Sequence, residues 1–188
     1  MGEPDFQLLL DNTQCPFARR SAWLRSPAPD GGLTIRAHLE RALPSFRAAL
    51  QAVLSTDADG YVLQLPANHG ETAEALRSAT LESLRWLGAH SAPATQVTMP
   101  DLENPEWWFS FDAHRLFPVS FGDCFGPAHT RHQFGADGLF IVLQHELAFA
   151  RRYPDGIPMS LRMNIRKSFN LAGRPYRFDM GAVPEVVR

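Results

Sequence analysis

Cysteine is scarce in this 188-residue chain: only Cys15 and Cys124 occur, far apart in sequence. A disulfide framework is therefore not expected, and a cytoplasmic location is the default. Long apolar runs are missing too. No stretch approaches the roughly 20 apolar residues that span a bilayer, so no membrane partner is expected. The opening MGEPDFQLLLDN is acidic with a short apolar run, which does not read as a secretory leader. Phe6 stands where N-myristoylation favours Ser or Thr. Charge of one sign is also lacking. The 18 basic and 20 acidic residues leave a formal charge of −2, which excludes a general nucleic-acid binder. There is no Walker-A loop, GxGxxG, CxxC, HExxH or GxSxG. The phosphate-cradling, zinc-protease and serine-hydrolase readings lose their usual support, and any chemistry must come from scattered residues.

What is present is an ordinary globular balance of 45% hydrophobic and 20% charged residues, enough for one domain with a sizeable core over 1–188. Thirteen Phe and four Trp suggest a core or pocket built from flat rings. No internal repeat or low-complexity block is found. Pro16 is placed to open a short helix running to about Leu24. Helical spacing of Leu39, Leu43, Phe46, Leu50 and Val53 predicts a helix over about 36–54, with a kink or break at Pro44. A second amphipathic helix is expected over about 72–87. Strands are expected at 61–65, 107–112, 115–121 and 139–144, with a hairpin joining the middle two across Ala113 and His114. Residues 91–105 read as a connector. The loop over 122–138 is long enough to suggest function. Helices are expected over about 146–153 and from Pro158 to about Leu171, stopped by Gly173, with an irregular tail from Arg174. The expected class is α+β: an antiparallel sheet of three or more strands with helices packed on one side.

Four of the seven histidines, His114, His129, His132 and His145, fall in the strand–loop–strand region. His129 and His132 have an HxxH spacing, and His145 ends an apolar strand face. A haem pocket needs such an imidazole in apolar surroundings. The same residues serve a non-haem metal site of His129, His132 and His145 with Glu146, or are plain core and surface histidines. Cys15 before Pro16, at a helix start beside Arg19 and Arg20, reads either as a thiolate able to ligate haem iron or as a small buried hydrophobe. Arg131, Arg162, Arg166 and Arg174 read as carboxylate partners or as solvated charges.

Taken in order, Cys15-Pro16-Phe17-Ala18, the run from Trp108 to Phe121 (WFSFDAHRLFPVSF), Ala128-His129 with Arg131, FIVLQHELAF from Phe140, and RMNIR from Arg162 resemble the YqcI/YcgG family. The resemblance spans roughly positions 12–180 and rests on the order of short motifs. It departs at His129-Thr130-Arg131-His132, where many members have His-Pro followed by Ser and Arg, and after Arg174. The resemblance implies a haem b enzyme that activates O2 or peroxide and N-hydroxylates an amine or guanidine nitrogen of an arginine-like amino acid in specialised metabolism. It makes His129 the first choice of axial ligand, His145 the second and Cys15 the third. Arg131, Arg162 and Arg166 would hold the haem propionates or the substrate carboxylate. His132 would act as a distal donor or general acid, with Arg131 beside it. Phe111 and Phe117, with Trp107, Trp108, Phe109 and Phe121, would wall the pocket. Electrons would come from an external donor. A haem sensor or carrier without turnover is the alternative, and a homodimer is common for chains of this size.

Overall fold

The computed structural model describes residues 4–104 and 107–175. The expected tail therefore lies, beyond residue 175, outside the described residues. Along the chain the elements are α1 (Pro4–Asn12), α2 (Pro16–Arg19), β1 (Trp23–Arg25), α3 (Ile35–Leu54), β2 (Gly60–Leu65), a 3-10 turn (Ala67–His69), α4 (Ala73–Ala89), α5 (Met99–Glu103), β3 (Phe109–Phe111), β4 (His114–Phe121), β5 (Leu139–His145), α6 (Glu146–Arg152) and α7 (Met159–Leu171).

The strands form one five-stranded sheet in the order β1-β2-β5-β4-β3. β2, β5, β4 and β3 pair antiparallel, as the α+β reading expects. β1 departs from it by pairing parallel to β2. The twenty-residue helix α3 lies between these two strands, long enough for the crossover that a parallel pair requires. β5 is central and buried along its whole length, which explains its nearly continuous apolar sequence. Pro118 sits past the last β3–β4 pairing, where β4 is an edge and a missing N–H is tolerated. The β3–β4 hairpin turns on Asp112 and Ala113, both at positive φ (45° and 64°). That matches the twist of a two-residue hairpin loop.

Side-chain alternation gives the sheet two apolar faces. Tyr61, Leu63, Leu65, Leu139, Ile141, Leu143, Leu116, Phe109 and Phe111 meet Leu39, Phe46 and Leu50 of α3 and Leu76 and Leu84 of α4. Both helices start on threonine caps: Thr34 accepts from the Ala37 amide and Thr72 from the Ala75 amide. α3 passes through Pro44 as one helix rather than breaking there. The opposite face is not bare. Val62, Val119, Phe140 and Val142 pack against Phe6 and Leu9 of α1. The expectation of helices on one side thus describes the two long helices only. α1 and β1 escape a reading by periodicity because they are short, and α5 occupies part of the expected connector. Among the described residues no helix is long and apolar enough to cross a membrane.

Candidate functional site

The second sheet face opens into a cavity of about 560 Å³, within the range of about 300–1,000 Å³ typical of small-molecule and cofactor sites. Phe117, Val119 and Phe121 of β4 and Val142 and Gln144 of β5 form its floor. α1, α2 and the link between them supply Phe6, Leu9, Leu10, Thr13, Cys15, Phe17 and Ala18. Trp108 and Phe149 close one side, their rings packed edge to face at 6.1 Å. Arg162, Ile165, Arg166 and Phe169 of α7 form the outer wall. Phe169 is the buried anchor of α7. Arg174, just beyond the helix, donates to Asn12 O at 3.3 Å and to Gln14 Oε1, and lies over the Phe134 ring. These contacts tie the end of α7 to the end of α1.

The cavity is lined by basic side chains. Arg131, Arg162 and Arg166 line it, and no Asp or Glu is among its described lining residues. Arg131 sits against the floor, its guanidinium carbon 5.6 Å from the Phe121 ring centre. Such a set favours an anionic group, because a guanidinium binds a carboxylate with two parallel hydrogen bonds.

Cys15 lines the same cavity. Of the two sequence readings, a thiolate favoured by α2 and Arg19/Arg20 or a small buried hydrophobe, the ligand-free structure favours the second. Burial pushes the thiol up from its ordinary value, outweighing the backbone N–H groups of Ala18 and Phe17 and the charge of Arg131. Arg19 and Arg20 are exposed, and α2 is only one turn long. Without a ligand, Cys15 is a neutral thiol.

The histidines lie elsewhere. The His129 ring stacks on Phe125 at 4.2 Å and 7°, and its Nδ1 accepts from the Arg131 amide at 3.0 Å. His132 donates from Nδ1 to Phe125 O at 3.1 Å and sets its ring against Phe134. Both hold the long loop in shape, and neither lines the cavity. His145 is directed to the opposite sheet face by the pairing of β5 with Leu116. There its Nε2 lies 2.9 Å from His114 Nδ1, while its Nδ1 accepts from the Leu147 amide at the start of α6. His114, which the sequence reading puts in the hairpin turn, is half-buried at the start of β4. Burial first, then His114 and Arg151, lower the His145 pKa to about 4. Among the described residues no three His, Cys, Asp or Glu side chains are grouped to hold a metal ion. The set His129, His132, His145 and Glu146 is not assembled.

Of the residues singled out from sequence, the fold thus gathers Cys15, Arg131, Arg162, Arg166 and Phe117, with Trp108 and Phe121, around one space. It leaves out His129, His132, His145 and Phe111. Phe111 is fully buried on the α3 side, 4.8 Å from the Phe46 ring. Trp107 and Phe109 also pack into that core. Gln144 was missed. A polar residue on the inner face of an otherwise apolar strand was the available signal. No family model, curated protein or solved structure matches this chain.

Proposed function

We propose that the cavity is a haem pocket and that the protein is a haem-dependent oxygenase acting on an amine or guanidine nitrogen of an amino acid. One observation carries the reading. Residues from motifs as far apart as Cys15, Arg131 and Arg166, brought forward by the family resemblance, converge on one apolar, arginine-lined space. The cavity composition suits a haem. Aromatic and aliphatic walls match the porphyrin, and three guanidiniums match its carboxylates. Cys15 is the one described lining residue of a type that ligates haem iron, since no His, Met or Tyr is among the described lining residues. The proposed ligand is therefore Cys15 in place of His129 or His145. Its raised pKa does not oppose this, because metal binding takes the thiol proton.

When bound, haem supplies the redox chemistry that activates O2 or peroxide. The chain supplies the rest. Arg131, Arg162 and Arg166 fix carboxylates, either propionates or that of the substrate. Phe117, Val119, Val142 and Trp108 keep water from the floor. Electrons come from an external donor, or peroxide is used directly.

The test is the absorption spectrum of protein produced with haem precursor, oxidised and then reduced with CO. The expected result is a Soret band in the wild type and in His129→Ala that is lost or shifted in Cys15→Ser. Turnover is then read as an added oxygen atom on arginine-like amines by mass spectrometry. A colourless wild type after haem reconstitution refutes the reading. A band lost in His129→Ala but unchanged in Cys15→Ser refutes the ligand assignment. The neutral Cys15 beside three arginines favours one second reading, a site for an apolar carboxylate without iron, which predicts that colourless result together with carboxylate binding.

A further inference from the structure

Gln144 is the polar residue of the cavity floor, and its amide is oriented by a chain of bonds through Ser21. Asp59 Oδ2 accepts from Arg152 Nη2 and from the Ala22 amide, both at 2.9 Å. Arg152 Nη1 donates to Ser21 Oγ at 3.1 Å. The Ser21 hydroxyl spends its proton on Phe17 O at 2.5 Å. Toward Gln144, Ser21 Oγ can therefore only accept, and it does so from Nε2 at 3.3 Å.

The consequence lies on the other end of the amide. Gln144 is 7% exposed and lines the cavity, and no described residue donates to its Oε1. A ligand that fills the cavity displaces water from that oxygen, and leaving it then without a donor costs free energy. Gln144 pairs with Phe117 on β4, and Arg131 lies against Phe121. Four residues of strand separate these two floor positions, about 13 Å at the usual rise. Both ends belong to the floor and walls of one cavity.

We propose that Gln144 is a specificity-determining acceptor. The cavity selects a ligand with an N–H or O–H donor at the Gln144 end, an apolar body, and an anionic group reaching the arginines. Ser21 is the positioning residue, because it denies the amide its flipped orientation. In the oxygenase reading, Gln144 holds the nitrogen-bearing end of the substrate. The inference rests on that reading only in taking this cavity as the ligand site, and it does not depend on haem.

The test uses the full chain without added haem, and indole-3-butyrate against its benzothiophene analogue, which replaces the ring N–H by sulfur. Titration calorimetry should show about tenfold tighter binding of the indole acid by the wild type, the equivalent of one hydrogen bond to an acceptor that the ligand buries. Gln144→Leu, which suits the apolar floor, should abolish the preference and leave binding of the sulfur analogue unchanged or tighter. Ser21→Ala should weaken the preference while Gln144 remains in place. Equal affinities in the wild type, no binding of either acid, or a preference that survives Gln144→Leu would overturn the proposal. Discrimination in a chain that takes up no haem leaves this inference standing and removes the oxygenase. A Soret band without discrimination does the reverse.

Discussion

The His114–His145 pair makes a quantitative prediction about acid stability. Leu147 N–H points at His145 Nδ1, so that nitrogen must keep its lone pair and the proton sits on Nε2, shared with His114 Nδ1. Protonating His145 would set one N–H against another in a site that is 2% exposed. That, with the positive Arg151 nearby, accounts for a pKa lowered to about 4. The sign follows. Above the ordinary value of about 6.5 neither the folded nor the unfolded chain protonates this ring, and it contributes no pH dependence. As the pH falls below that, the unfolded chain takes up a proton that the folded chain refuses, so stability is lost until about pH 4. The full loss is at most about 3 kcal/mol, and about 2 kcal/mol of it falls between about pH 7.5 and about pH 5. At a urea slope of about 2 kcal/mol per molar, the midpoint should drop by about 1 M over that range on this account. The comparison is His145→Asn, which retains an acceptor at the start of α6 but does not titrate. Urea unfolding of both proteins at the two pH values should show the wild type losing about 2 kcal/mol more than the variant. Parallel losses would refute the argument.

Two further stability predictions follow from packing. Phe46→Ala removes a ring 1% exposed that lies 5.2 Å from the Tyr61 ring and 4.8 Å from that of Phe111, and should cost about 3–5 kcal/mol in urea unfolding. Gly122→Ala would put a methyl 2.7 Å from Leu76 Cδ1 and 2.9 Å from Gly70 O, where the long loop crosses the 3-10 turn. It should lower stability by about 1–3 kcal/mol, and an unchanged melting temperature would contradict the close approach.

Much of the α+β architecture was legible in the chain. The 3.6-residue recurrence of Leu39, Leu43, Phe46 and Leu50 marks α3 because one stripe must meet the sheet. The run from Leu139 marks β5 because both faces of that strand are covered. The hairpin was visible from the spacing of two apolar runs, though its turn falls on Asp112 and Ala113 rather than on Ala113 and His114. The parallel partner β1 was not, since three residues hold no periodicity and their strand character comes from the edge of β2. Among candidate site residues, sequence alone set the types, a thiol, arginines and aromatic rings. It could not say which of them share a space. The histidines looked like ligands because a ring nitrogen after an apolar strand suits either a metal or a neighbour. The parity of β5 decided for His145 by sending it to the α3 side, against His114. Phe111 and Phe117 are equally apolar in sequence, yet the hairpin register sends one into the core and the other to the cavity. The protonation of Cys15 was likewise a tertiary matter, since burial among cavity walls outweighed the local charges that its sequence neighbours promised. Local propensity and apolar period act over a few residues and so are written in the sequence. Which side chains face one another, and how dry they are, depends on register and layer contacts between separate segments of the chain.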